Sequence, residues 1–336
     1  MTKLILSTSN IMSGGSSAVR HDMTSRSNAE LTSSLRMNFK AAQEDAAYAH
    51  MQTQPQTNGH SDDVSHTPSF RDWTSHHAAK AVLYVPTLDF TASALQEERE
   101  QYDITLKLFY LPGIPVARRA SQTREALDFV LQELHVPSID LLIVSFPGIY
   151  FDEESEGCPD KIQSRGPIEA DPEPLETQIK TWQELEKLKD EGLVGRLGVS
   201  EFGAERLQPF LERTRIKPSV DQINLRDCCS VPRPLLTLAK KEKIDLLVHN
   251  DSTNILPRGT LRELLGPGEN GAGVLANDGD MAGDKRKKNR EDGEAVDSEG
   301  MKGDVEPQWV IKYTAVVKNR GVVENKGYFA AAELKA

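Results

Sequence analysis

Eight short apolar runs recur along this sequence, most of them separated by enough residues for a helix, and that spacing constrains the fold more than any other feature. The runs are 4–10 (LILSTSN), 81–85 (AVLYV), 104–111 (ITLKLFYL), 140–146 (DLLIVSF), 195–200 (GRLGVS), 220–225 (VDQINL), 244–250 (IDLLVHN) and 314–319 (TAVVKN). Most are near-continuously apolar, as in strands buried on both faces of a parallel sheet. Helical patterns lie between them. Leu127, Val130, Leu131 and Leu134 form one stripe at i, i+3, i+4, i+7, with Thr123 placed to cap it. Ile179, Trp182, Leu185 and Leu188 form a second stripe that Gly192 is placed to stop, and Leu235, Leu236 and Leu238 supply a third. Pro209 fits a helix only within its first turn. Eight β units with intervening helices predict an α/β fold, a (β/α)8 TIM barrel formed as one domain by residues 1–336. The alternative is an open doubly wound sheet. With 17 residues after Asn319, a last helix or C-terminal lid is expected to be short or absent.

Three segments break the pattern and are expected to be flexible insertions: 41–78, 152–176 and 266–308. The second holds nine acidic and two basic residues, and the third eleven acidic and six basic. The whole chain carries −11, so its acidity resides in these two segments rather than on a functional face. Their composition also explains the low overall hydrophobic content of 38%, and such segments bury too little to offset their ordering entropy. The negative charge argues against nucleic-acid partners, which call for a basic surface. No apolar run approaches the length of a membrane span, and the N-terminus lacks a signal-peptide core. The cysteines Cys158, Cys228 and Cys229 are odd in number and lack metal-ligand spacing, which predicts a reducing, cytoplasmic setting and no metal. Cys228 and Cys229 are candidate redox thiols.

Several motifs dissolve on inspection. GPGENG (266–271) has the letters of a dinucleotide loop but does not follow a strand and open a helix. DGDMAGDK offers Ala282 where a calcium loop needs a third oxygen. The basic run 284–290 reads as a solvated cluster inside an acidic segment. His76 and His77 fall in a polar stretch without partner spacing, and His249 reads as a hydrogen-bonded structural histidine at a strand end. In a barrel the active site lies at the C-terminal strand ends. Those ends present Lys107, Ser145, Ser200 with Glu201, Gln222 with Asn224, His249 with Asn250 and Asp251, and Lys318 with Arg320. No nucleophile–base pair stands out among them.

Two stretches carry a resemblance. TWQELEKLKDEGLVGRLGVSEF (181–202) and RIKPSVDQINL (215–225) resemble the fifth and sixth units of the aldo-keto reductases, and AVVKNRG (315–321) resembles their final-strand cofactor segment. More narrowly, 222–251 and 308–328 are similar to the regulatory, or modifier, subunits of glutamate–cysteine ligase, with which they share the paired cysteines and the K-x-R-G-x-x-x-x-K-G-Y tail. The broader family implies an NADPH-dependent barrel with an Asp–Tyr–Lys–His tetrad. By that resemblance Lys107 matches the lysine, the histidine position holds Ser145, and no residue matches the aspartate or the tyrosine; Tyr84 and Asp89 have the wrong spacing. Ser200, Gln222 and Lys318 match cofactor-contacting positions, while Glu201 replaces an expected asparagine, which counts against NADPH. The narrower resemblance implies a non-catalytic subunit that needs no cofactor and forms a heterodimer with the ligase catalytic subunit. The alternative is an active NADPH-dependent reductase that uses Tyr84 or Tyr110 as its acid beside Lys107.

Overall fold

The apolar runs become strands and most of the stripes become helices in a computed structural model that describes residues 2–13, 27–53, 68–91, 95–151, 170–225, 231–252, 254–268, 270–277 and 300–335. The elements in order are β1 (Thr2–Ser7), α1 (Ser27–Thr53), α2 (Phe70–Trp73), β2 (Ser75–His77), β3 (Val82–Val85), β4 (Tyr102–Tyr110), α3 (Arg119–Leu134), β5 (Ile139–Ser145), α4 (Leu175–Asp190), β6 (Val194–Ser200), α5 (Ala204–Arg213), β7 (Val220–Ile223), α6 (Arg233–Glu242), β8 (Asp245–Val248), α7 (Thr260–Leu265), β9 (Asp304–Val317) and β10 (Val322–Lys335). The strands form one sheet in the order β2-β3-β1-β10-β9-β4-β5-β6-β7-β8.

The α/β architecture of the (β/α)8 type is carried by β4 to β8, which are parallel neighbours in chain order with α3, α4, α5 and α6 as their connections. Packing follows the stripes. Leu127, Val130 and Leu134 of α3, and Ile179, Trp182, Leu185 and Leu188 of α4, are buried. The indole N–H of Trp182 donates to the Ile216 carbonyl at 2.7 Å, so this large ring is buried without an orphaned donor. Helix α4 ends where Gly192 takes φ +76°. The N–H groups of Gly192 and Leu193 return to the carbonyls of Lys189 and Leu188, which is the paired closure a left-handed glycine permits.

Alternation along β4 divides the core in two. Ile104, Leu106 and Leu108 join the cluster under α3 to α6. Phe109 joins a second cluster, built with Leu31, Leu35 and Phe39 of α1 and Leu261, Leu264 and Leu265 of α7. Functional side chains can therefore be assigned to a helix-lined outer face or an inner face covered by α1 and α7.

The sheet departs from eightfold regularity at one place. The segment expected as a final parallel strand at 314–319 is the end of the longer β9, and β10 returns beside it antiparallel. Gly321 at φ +62° accommodates the turn, with its N–H bonded to the Val317 carbonyl at 2.8 Å. A tight turn cannot connect parallel strands, so the pair enters as a hairpin. It lies between β1 and β4, antiparallel to both. Among the described residues no helix follows β10: the residues after Asn319, where a last helix was expected to be short or absent, are mostly β10.

Other expectations are also adjusted. Thr123 lies inside α3 rather than at its cap, and its hydroxyl donates to the Arg119 carbonyl one turn back at 2.7 Å. Pro209 is the sixth residue of α5, beyond the first turn. Of the segment 41–78, residues 41–53 continue α1, and 70–77 form α2 and β2, which includes His76 and His77; 54–67 lie outside the described residues. Residues 170–176, 266–268, 270–277 and 300–308 are described at the flanks of the other two segments. The remainder of those segments, the basic run 284–290, Cys158, Cys228 and Cys229 lie outside the described residues. Finally, β8 was expected to be buried on both faces, yet Leu247 is 40% and Val248 65% exposed, and β8 is an edge of the sheet.

Candidate functional site

A lysine inside an apolar strand must find a counter-charge or lose its proton. Lys107 stands between outer-facing Leu106 and Leu108, so it projects from the inner face, level with Lys312 of β9. It is 4% exposed, and its ammonium lies 3.0 Å from Asp251 Oδ2. Lys312 reaches the other oxygen of the same carboxylate at 2.8 Å. Asp251 thus bridges two lysines from adjacent strands. Burial alone would raise its pKa, but Lys107 and then Lys312 hold the carboxyl far below its ordinary range. Burial pulls Lys107 down from the usual lysine range, with Asp251 and Glu201 opposing. Lys312 is also opposed by burial, but Asp251 outweighs it and holds the group above its ordinary value.

His249 completes the cluster from just beyond β8. Its Nδ1 accepts the Asp251 backbone N–H at 3.0 Å and lies 3.4 Å from Lys107 Nζ. Nδ1 is therefore the bare nitrogen, and Nε2 carries the proton toward Glu201 Oε1. Burial, aided by the adjacent Lys107, lowers the histidine pKa and keeps the ring neutral near pH 7. Glu201 follows β6 directly and takes a left-handed backbone at φ +68°, a conformation uncommon outside glycine, asparagine and aspartate. Its other oxygen accepts the Phe151 N–H at 2.7 Å. Beneath it, Asp221 of β7 is fully buried, accepts the Phe202 N–H at 3.4 Å, and has Oδ2 without a hydrogen-bond partner. Burial raises its pKa well above the ordinary carboxylate value.

The residues singled out in the sequence separate into two groups. Lys107, Ser145, Ser200, Glu201, Gln222, His249 and Asp251 gather near the C-terminal ends of β4 to β8. Ser145 is buried as the last residue of β5. The Ser200 hydroxyl lies 3.5 Å from His249 Nε2, and Gln222 Oε1 is buried without a partner. Lys318 is not among them. Because β9 runs antiparallel to β4, its C-terminal end lies beside Tyr102, where Lys318 Nζ donates to the Glu100 carbonyl at 2.9 Å. Ser200 and Gln222 are thus at one end of the strands and Lys318 at the other.

Neither candidate tyrosine reaches Lys107. Tyr84 packs edge-on against Phe129 on the outer face. Tyr110 is also outer-facing; its hydroxyl pairs with Thr123 Oγ1 at 2.8 Å, and burial pushes its pKa up to about 12. On the inner face, Tyr328 presents its ring to Lys312, 5.9 Å from the centroid, while its hydroxyl donates to Glu30 at 2.7 Å. The cluster therefore brings together ammonium, carboxylate and imidazole groups, and the hydroxyls of Tyr84, Tyr110 and Tyr328 are directed elsewhere. Lys312 was missed in the sequence, where a charge in the apolar run QWVIKYTAVV was the available signal.

Comparison with known proteins gives the following likenesses. The model of the aldo/keto reductase family matches residues 80–254. A mouse protein named glutamate–cysteine ligase regulatory subunit is 26% identical over 79% of this chain and 81% of its own. Aldose reductase B of Dictyostelium discoideum is 30% identical, but over 46% of this chain and 50% of its own. Among solved structures, the aldose reductase of Schistosoma japonicum aligns at 28% identity and a TM-score of 0.33, covering 45% of this chain and 46% of that one.

Proposed function

We propose that this chain, which belongs to the aldo/keto reductase family, is a non-catalytic regulatory subunit of a glutamate–cysteine ligase and acts by binding the ligase catalytic subunit as a heterodimer. One observation carries the reading: the Lys107 ammonium is committed to Asp251, and neither Tyr84 nor Tyr110, the two candidate acids, reaches it. Carbonyl reduction needs a positioned acid to protonate the substrate oxygen as hydride arrives, and such an acid contributes about 10²–10⁴-fold. Neither Tyr84 nor Tyr110 reaches Lys107, and His249 Nε2 lies against Glu201 rather than open space. The charges satisfy one another, as expected of a structural cluster.

The same geometry bears on the cofactor. Ser200 and Gln222 retain positions implied for NADPH, but Glu201 offers a carboxylate engaged with His249 and Phe151, and Lys318 lies at the far end of the strands. These placements count against a dinucleotide site, and the proposed role requires none. Regulation is instead a coupling free energy: the chain must bind one state of its partner better than another, and about 1–3 kcal/mol shifts an affinity about 5–150-fold.

Two measurements test the proposal. Purified chain is added to the ligase catalytic subunit, and KM for glutamate and inhibition by glutathione are followed. Unchanged values would refute it. Sustained NADPH oxidation with a generic aldehyde, abolished in Lys107→Met, would instead favour the reductase reading.

A further inference from the structure

The sequence IDLLV has the composition of a strand buried on both faces, yet Leu247 and Val248 of β8 are exposed, as is Leu236 on the adjoining α6. The backbone agrees with an unfilled edge. Asp245 N–H and His249 N–H bond to the β7-side carbonyls of Ser219 and Ile223. In a parallel ladder alternate residues face the same neighbour, so the amides of Leu246 and Val248 point away from β7. Among the described residues no strand pairs on that side. A row of unpaired donors and acceptors beside exposed aliphatics is a template for another strand.

The surrounding charge indicates what would pair there. Arg233, Lys240, Lys241 and Lys243 are exposed along α6 and the turn into β8. Among the described residues no ion pair engages Arg233, Lys240 or Lys243, and Lys241 has only Glu242 at 3.8 Å. The exposed carboxylate of Asp245, at the start of β8, is taken by Arg196 at 3.4 Å. This basic rim stands on a chain of net charge −11.

We infer that the β8 edge is a docking site for an extended, acidic segment of a partner polypeptide, which adds as a further strand and places alternate apolar side chains against Leu236, Leu247 and Val248. The inference rests on the proposal that this protein works through contact with another chain. It makes β8 the contact element, and β8 leads directly into His249 and Asp251 of the buried cluster.

The test follows the amide exchange of Leu246 and Val248 in the full chain, alone, with the ligase catalytic subunit, and with a blocked seven-residue peptide of alternating valine and glutamate. Both amides are expected to slow at least tenfold with a bound probe. Val248→Pro removes an outward donor while sparing the bonds to β7 and is expected to weaken binding about tenfold. Lys240→Glu combined with Lys241→Glu should slow association and reduce its salt dependence. If the catalytic subunit binds but neither amide slows with either probe and Val248→Pro binds as wild type, the inference is wrong while the regulatory reading stands. If the catalytic subunit does not bind at all, the regulatory reading fails and the peptide decides: protection keeps the site, and its absence removes it. Slowing that depends only on the concentration of the chain itself would assign the edge to a second copy and overturn the acidic partner.

Discussion

Asp251→Asn is the sharpest perturbation of the buried cluster. The wild-type carboxylate lies 3.0 Å from Lys107 and 2.8 Å from Lys312. Replacing it by an amide leaves two inward ammoniums, with Glu201 near Lys107 and Glu30 near Lys312 as the remaining anions. Removing one partner of a buried pair costs about 3–5 kcal/mol. Lys107→Met should cost less, about 1–2 kcal/mol, because Asp251 keeps Lys312 and methionine fills most of the volume. The double variant should fall short of the sum by about 1–3 kcal/mol, the signature of contact. Urea unfolding at pH 6 and pH 9 measures all four proteins. The sign with pH follows from Lys107, whose folded pKa is already depressed. A depressed group favours folding above its unfolded value and loses that contribution as pH falls. Without Asp251 the depression deepens, so the Asp251→Asn penalty should be larger at pH 6 than at pH 9. A cost under about 1 kcal/mol, or additivity in the double variant, would refute the view that these charges hold one another in place.

Two further outcomes follow from the packing. Asp221 has its folded pKa raised by burial, so its contribution is present below the unfolded value and lost as pH rises toward neutrality; Asp221→Asn should therefore gain stability relative to wild type between pH 5 and pH 8, measured by urea midpoints. Gly327→Ala would place a methyl 2.5 Å from the Ser9 carbonyl oxygen and against the Tyr313 hydroxyl, and a loss of about 1–3 kcal/mol is expected in the same assay.

The parallel run was legible because its strands are near-continuously apolar and its helices carry clean stripes; Leu127, Val130 and Leu134 were placed correctly from spacing alone. The hairpin of β9 and β10 was harder. AVVKNRGVVEN contains its own signal, a glycine-ended turn between pairs of valines, but the alanines and the Glu-Leu-Lys ending of YFAAAELK read equally well as a helix. Tertiary pairing with β1 decides the matter, and no local window contains it. In the candidate site, Lys107, Glu201, His249 and Asp251 were all visible as strand-end residues, but their mutual neutralisation was not. His249 read as structural, and its ring nitrogens meet the Asp251 backbone N–H and the Ser200 hydroxyl. Lys318 was assigned to the wrong end because a parallel direction was assumed for β9. The exposure of Leu247 and Val248 runs against their composition, and such a conflict between local preference and surroundings is where an interaction is to be sought.

The position of that hairpin also sets a schedule. Thr2 is registered with Leu334 and Tyr110 with Trp309, so the seam joining β1 to β4 is supplied by residues 304–335. During synthesis β1 and β4 must wait, both made but unjoined in space, until nearly two hundred residues beyond β4 have left the ribosome. Such distant pairings slow folding and prolong the exposure of open edges. A nascent chain of this protein should depend on chaperones late rather than early, and a stop codon near position 300 should be far more damaging than the small number of residues it removes would suggest.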